Sequence, residues 1–303
     1  SRDPVSVEAI LLGTAQDGGV PQAGCYCDHC RPARADPGLR QWVACLGIVD
    51  RAAGQSWLID ATPDYREQFH ALHELAPDCP LAGIALTHAH TGHYAGLIHL
   101  GREAANAQGL PVYASARMAG FLREHAPWSQ LVALGNVELR LLTPDQEVQL
   151  SPRLWLMPLA VPHRDEYSDT LAFVVRGPQR RLFYCPDIDG WDRWSRDLGQ
   201  VVSEVDVSLL DGTFYSADER PGRDVAQIPH PLATDTAQRL AGADNEVHLI
   251  HLNHSNPLQR PGPEREWLAA RGIGVGAAGM RWRLDERGAV RGRGDHGDQF
   301  QSE

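Results

Sequence analysis

The sequence predicts an α/β protein: two mixed β-sheets face to face with helices outside them, an αββα sandwich. Three observations lead there. Short apolar runs of strand length recur in two groups, with helical segments between and after them. Several of these runs deliver a histidine or an aspartate at their ends. At 303 residues the chain is long enough to bury a large core. We expect one domain over 1–285, then a tail over 286–303 rich in Gly, Arg, Asp and Gln that frays.

Val5 to Gly13 reads as the first strand, ending in the tight turn Gln16-Asp17-Gly18-Gly19-Val20-Pro21. Val43 to Val49 and Ser56 to Asp60 follow, joined by a turn at Asp50-Arg51-Ala52-Ala53-Gly54. Thr62-Pro63-Asp64 opens a helix that runs to about His73, with its proline in the first turn. Leu81 to Leu86 is a buried strand, and Gly96 to Gln108 has helical spacing. Pro111 to Ala114 is a short strand, and Ala116 to Ala126 is a helix stopped by Pro127. Glu138 to Leu142, Glu147 to Leu150 and Leu154 to Val161 read as strands of a second sheet. Thr170 to Arg176 and Arg181 to Cys185 form a hairpin across 177–180. Val205 to Leu210, Glu246 to Leu252 and Gly274 to Ala277 are later strands, with a helix around Asp235 to Leu240.

Composition removes several function classes. The formal charge of −11 argues against a nucleic-acid surface. All 28 basic residues are arginine, so a lysine nucleophile or Schiff base is excluded. No apolar run reaches the ~20 residues of a membrane helix. Ser1-Arg2-Asp3-Pro4 shows no signal-peptide pattern. The expected compartment is the cytoplasm, with the periplasm open if a leader was removed. The expected partner is a small-molecule substrate, with neither nucleic acid nor membrane, and a homodimer is left open.

Of six cysteines, Cys45, Cys79 and Cys185 lie in apolar surroundings and read as buried thiols. Cys25, Cys27 and Cys30 are too close for easy disulfides but suit one metal ion. We read the loop 24–31 as a structural zinc site that takes a fourth ligand from elsewhere. His29 is inside the loop, whereas a distant histidine would staple the loop to the body.

The densest signal is Thr87-His88-Ala89-His90-Thr91-Gly92-His93, directly after an apolar strand. A strand-to-helix turn aims several imidazoles at one point, and imidazole suits zinc, iron and manganese. Further candidates stand just past strands: His163, Asp187, and the pair His251 and His254; His230 lies in Pro229-His230-Pro231. Singly each has a bland reading. Together they repeat one pattern, a strand that presents a ligand at its end. Trp191 and Trp194 read equally as a pocket wall or a core pair.

The histidine run resembles the His-x-His-x-Asp-His motif of the metallo-β-lactamase fold, except that Gly92 replaces the Asp. In that family the ligands that follow are a His, a bridging Asp and a final His, and His163, Asp187 and His251 stand in that order. Gly13-Thr14-Ala15-Gln16-Asp17-Gly18-Gly19-Val20-Pro21-Gln22, Cys25-x-Cys27-x-x-Cys30, Asp60-Ala61-Thr62-Pro63-Asp64 and His251-Leu252-Asn253-His254-Ser255-Asn256-Pro257 resemble the PqqB family of pyrroloquinoline quinone biosynthesis. That family largely lacks His-x-His. In its histidines the chain looks more like the PhnP phosphodiesterases, which share the three-cysteine loop. The PhnP likeness implies that His251 binds catalytic metal, that His254 completes Cys25, Cys27 and Cys30, and that His230 acts on the leaving group. The reverse roles of His251 and His254 stay open.

Two readings of function follow. The first is a metal-dependent hydrolase of a phosphodiester or other ester, with one or two catalytic ions of Zn, Mn or Fe beside the structural zinc. His88, His90 and His163 would hold one ion. His93, His251 and Asp187 would hold a second, with Asp187 bridging. Because Gly92 brings no carboxylate, the second ion is expected to be weaker, and water activation falls to the metal, to Asp187 or to Asp64. The second reading, implied by the PqqB likeness, is an iron-dependent oxygenase or hydroxylase. A metal carrier ranks third, since carriers need no ligands gathered from separate strand ends.

Overall fold

The computed structural model describes residues 3–219, 222 and 224–287. The strands in chain order are β1 (Val7–Gly13), β2 (Cys45–Asp50), β3 (Gln55–Ile59), β4 (Leu81–Ala85), β5 (Leu110–Ser115), β6 (Val137–Leu142), β7 (Val148–Ser151), β8 (Leu154–Val161), β9 (Thr170–Arg176), β10 (Arg181–Cys185), β11 (Val207–Asp211), β12 (Glu246–Ile250), β13 (Ile273–Val275) and β14 (Arg281–Arg283). Among the described residues they form two seven-stranded sheets, ordered β14-β1-β2-β3-β4-β5-β6 and β13-β12-β11-β10-β9-β8-β7. Both are mixed: β1, β2 and β3 pair antiparallel and β3 to β6 parallel, while β10 to β13 are parallel and β7 to β10 antiparallel.

The helices are α1 (Cys30–Ala35), α2 (Tyr65–Leu75), α3 (Thr91–Tyr94), α4 (Ala116–Glu124), α5 (Trp128–Ala133), α6 (Leu198–Ser203), α7 (Ala233–Arg239) and α8 (Pro263–Ala269). Strand alternation sorts the side chains into layers. Leu11, Leu46, Ile48, Ile59, Leu156, Phe173, Leu182 and Leu209 meet between the sheets. On the outer face of the first sheet, Ile10, Leu58 and Ile84 pack on Leu72 of α2 and Met118 and Leu122 of α4. On the outer face of the second, Phe183, Leu210 and Leu249 pack on Val201 and Val202 of α6, Ala237 of α7 and Leu268 of α8. This is the αββα sandwich expected from the sequence. The hairpin across 177–180 also forms, with Arg181 opposite Arg176.

Two local expectations are corrected, and one strand appears that the sequence did not announce. The segment 96–108 is not a helix: a 3-10 turn covers Ala95–Leu100, and turns follow. Gly96 is pressed against backbone, where a Cβ would lie 2.3 Å from the Thr62 carbonyl oxygen, and Asn106 takes a left-handed φ of 47°. Residues 138–142 belong to the first sheet, not the second, because β6 continues the parallel order beside β5. The three-residue β14 returns to β1 and was too short to signal itself. Most of the tail, 288–303, lies outside the described residues.

Leu46 is fully buried between the sheets. Leu46→Ala should cost about 2–5 kcal/mol, as a lower urea midpoint with unchanged slope; a change under about 1 kcal/mol would mean that this layer is loosely packed.

Candidate metal centre

The site lies where the strand ends of both sheets meet, and two buried carboxylates organise it. Asp60 directly follows β3 at a left-handed φ of 70°. It accepts from the Thr87 N–H (2.8 Å), the Thr87 hydroxyl (2.9 Å) and His93 Nδ1 (2.6 Å). The Thr87 hydroxyl, having donated to Asp60, accepts from His88 Nδ1 at 2.9 Å. Asp211 ends β11 and repeats the arrangement on the second sheet. It accepts from the Thr213 N–H (3.0 Å), the Thr213 hydroxyl (2.7 Å) and His230 Nδ1 (2.7 Å), and Thr213 accepts from His251 Nδ1 at 2.9 Å. His251 itself sits at a φ of 62°. Such backbone strain gathers at functional sites. His163 Nδ1 is likewise held, 3.0 Å from Asp189. An imidazole whose Nδ1–H is bound to a carboxylate or hydroxyl presents a fixed Nε2 lone pair, the usual support of a metal ligand.

Those nitrogens converge. Ligand atoms of His88, His90 and His163 lie within 4.8 Å of one another, as do those of Asp17, His93, Asp187 and His251, and those of Asp211, His230 and His251. Asp187 joins the groups. Its Oδ2 lies 2.8 Å from His93 Nε2, 3.1 Å from His251 Nε2 and 3.6 Å from His88 Nε2, while Oδ1 lies 3.5 Å from His163 Nε2. Yet His88 Nε2, His93 Nε2 and Asp187 Oδ2 are fully buried without a hydrogen-bond partner. Buried polar atoms left so are costly. Imidazoles and carboxylates crowded this closely in the interior can exchange their shared protons for cations, so the donor set suits one or two divalent ions.

Of the candidates for water activation, Asp64 is not brought to the centre. Its carboxylate accepts from the Val43 N–H at 2.9 Å and fixes the loop before β2. Trp191 and Trp194 belong to the outer core of the second sheet; their indoles donate to the Thr236 hydroxyl and the Ala160 carbonyl. His230 lines the cleft. The residue sequence reasoning missed is Asp17, in the turn after β1. Its Oδ1 lies 3.2 Å from His251 Nε2 and 3.4 Å from His93 Nε2, and its Oδ2 accepts from the Gly92 N–H at 3.1 Å. The signal was present, an acid on a strand-end turn, but without a histidine beside it.

The cleft over the centre measures about 310 Å³. Arg164, Glu166, Tyr167 and Tyr94 line its mouth, and Glu166 meets His90 Nε2 at 2.9 Å. A larger hollow of about 660 Å³ between α2 and the 99–110 segment is mostly apolar, with Tyr65, Arg66 and His99 in its lining, and none of the ligand clusters among the described residues lies there.

The cysteine loop forms a second centre. Cys25 and Cys27 Sγ lie 3.4 and 3.5 Å from His254 Nδ1, and Cys30 completes the group. With Zn–S of ~2.3 Å and Zn–N of ~2.0–2.1 Å, a tetrahedral zinc requires S···N edges of about 3.5 Å. All six cysteines are free thiols. His29 does not join the group: its Nδ1 donates to the His254 carbonyl at 2.7 Å and so anchors the distant histidine.

A family model for the β-lactamase superfamily domain matches residues 56–255. The chain belongs to the β-lactamase superfamily. It is similar to coenzyme PQQ synthesis protein B of Rhizobium meliloti (28% identity over 306 residues, 91% of this chain and 97% of that one) and of Azotobacter vinelandii (29% over 308 residues, 89% and 97%). Two solved structures share its fold. Zn(2+)-bound PqqB from Methylobacterium extorquens has a TM-score of 0.76 at 23% identity, covering 91% of this chain and 99% of that one. A diphosphatase of the PhnP family has a TM-score of 0.66 at 19% identity, covering 92% and 97%.

Charge in this superfamily centre gives a pH prediction. Burial depresses the His251 imidazole, but Asp187 and Asp17 outweigh it and raise it to about 10. His93 is also raised well above its usual value: burial opposes, and Asp60, Asp17 and Asp187 prevail. Both are therefore imidazolium at pH 7 in metal-free protein, and a cation must displace their protons. Metal addition at pH 7 should release protons, read with an indicator dye, and affinity should fall about tenfold for each pH unit lowered, per proton displaced. Uptake without proton release would contradict this charge arrangement.

The cysteine loop gives another. Burial works against the Cys27 thiolate, but hydrogen bonds from His254 and from the Cys30 and His29 amides bring it down to about 6, while burial pushes Cys30 up to about 11. In chelator-treated protein at pH 7, iodoacetamide should label Cys27 well before Cys30, and zinc should protect both. Equal labelling rates would show that the loop does not activate Cys27.

Proposed function

We propose that the protein is a metal-dependent hydrolase that acts on a phosphodiester or other ester. The observation that carries this reading is the Asp187 carboxylate, which reaches His93, His251 and His88 through Oδ2 and His163 through Oδ1. One carboxylate spanning two groups of imidazoles is the arrangement of a two-ion hydrolytic centre. His88, His90 and His163 would hold one ion, and His93, His251 and Asp187 the other. Divalent cations held there would supply Lewis acidity and a water acidic enough to react near neutral pH. Cys25, Cys27, Cys30 and His254 would hold a structural zinc.

The remaining steps belong to the chain. Asp187, kept well below the usual carboxylate range by His251, His93 and His163 against the effect of burial, stays anionic and takes up positive charge between the two groups. His230, anchored through Nδ1 on Asp211, offers its other ring nitrogen to the leaving oxygen as a proton donor. Arg164 at the mouth draws in an anionic substrate. The likeness to PQQ synthesis protein B favours a second reading, an iron-dependent oxygenase or hydroxylase at the same centre.

The discriminating experiment assays aryl and alkyl phosphodiesters and carboxylic esters against dioxygen uptake, with Zn, Mn and Fe supplied in turn. Ester hydrolysis without oxygen consumption supports the proposal; oxygen uptake without hydrolysis replaces it with the second reading. His88→Ala with His90→Ala should abolish turnover and remove one ion while leaving zinc in the cysteine loop; joint loss of both from folded protein would overturn this division of ligands. His230→Ala should slow hydrolysis by about 10²–10⁴-fold for an alkoxide leaving group. It should slow a nitrophenolate much less; equal losses would show that His230 is not the acid.

A further inference from the structure

Position 92 is where the superfamily motif carries an aspartate, and here it is glycine. The structure shows what fills that volume. A Cβ built on Gly92 would fall 2.3 Å from Asp17 Cγ, 2.6 Å from Asp17 Cβ and 2.6 Å from Asp17 Oδ2. Real carbon atoms do not approach so closely, so a side chain at 92 and the Asp17 side chain exclude each other. Asp17 faces the same imidazoles, His93 and His251, and its Oδ2 takes the Gly92 N–H. It is held there firmly. Gln16 N–H donates to the Leu252 carbonyl, and Gly19 N–H closes the turn on Gln16, so the Asp17 turn is tied to the segment that carries His251.

From this we infer that Asp17 is a ligand of the second catalytic ion, supplied from the other end of the chain in place of the missing carboxylate at 92. The inference rests on the two-ion reading above, but on its metal content and not on its chemistry. It changes the expectation drawn from sequence. With Asp17, Asp187, His93 and His251 the second group has two carboxylates and two imidazoles, and it is not short of anionic ligands. It also fixes the effect of restoring the motif. Gly92→Asp alone collides with Asp17 and should weaken the site. Gly92→Asp together with Asp17→Gly, which removes the clashing Cβ, should rebuild it.

The test is metal stoichiometry and affinity by elemental analysis and competition with a chromophoric chelator, using zinc and manganese, on the full chain. Wild type should bind three ions. Asp17→Asn keeps the shape and the acceptor for Gly92 but loses the charge. It should bind the most weakly held ion at least about 10–100-fold less tightly, the loss that outer partners alone impose, and keep the other two. The double variant Asp17→Gly/Gly92→Asp should recover the third ion, and Gly92→Asp alone should not. If Asp17→Asn fails to fold, Asp17→Ser and the double variant carry the same comparison. Wild-type affinity in Asp17→Asn, tighter binding in Gly92→Asp alone, or saturation of wild type at two ions would each overturn the inference. Because the readout is ion count, a protein that hydrolyses no ester yet loses its third ion with Asp17→Asn sinks the hydrolase reading and leaves Asp17 a ligand.

Discussion

The centre depends on one physical constraint: Asp60 and Asp211, both wholly buried, must be satisfied without solvent. Unpaired, either charge would cost several kcal/mol. Each solves this the same way, by taking a backbone N–H, a threonine hydroxyl and an imidazole Nδ1–H. The solution has a geometric consequence. Satisfying two carboxylates fixes four rings, with His88 and His93 on the first sheet and His230 and His251 on the second. Each ring is then fixed through Nδ1, and His88, His93 and His251 turn their other nitrogen toward Asp187 in the space between the sheets. The strained backbone at Asp60 and His251 is the cost of turning these residues inward at strand ends, and the surrounding hydrogen bonds hold it.

The sandwich supplies the rest. Two sheets ending at one edge let residues more than two hundred positions apart in sequence share a cleft a few ångströms across. The turn after β1 and the segment after β12 lie side by side: Ala15 bridges to Leu252, and Gln16 donates to Leu252. Along this seam the cysteine loop meets His254, and three residues earlier Asp17 meets His251. The loop centre thus staples the two chain segments that also shape the catalytic cleft, which gives a structural metal there a reason to exist.

Much of this was legible in the sequence because strand periodicity and ligand chemistry are local signals. The apolar runs marked nearly every strand, and a histidine or aspartate past a run marked His88, His163, Asp187 and His251. What escaped depended on distance. Residues 138–142 have an ordinary strand pattern, and only pairing with β5 assigns them to the first sheet. The 96–108 segment has helical spacing, but only a 3-10 turn over Ala95–Leu100 forms, with turns after it. Asp64 looked like a cleft acid from its place in the motif block, yet its carboxylate serves Val43. Asp17 was hidden because the gap it fills, at Gly92, lies 75 residues away.

Everything in the cleft turns on whether the buried nitrogens and carboxylates converge on cations. Anomalous diffraction from crystals of the protein grown with zinc or manganese, recorded on both sides of each metal's absorption edge, tests it most directly. Two peaks about 3.5–4 Å apart on either side of Asp187, and a third within the cysteine loop, are expected. A single peak away from Asp187, or no peak among His88, His93 and His251 at saturating metal, would contradict it.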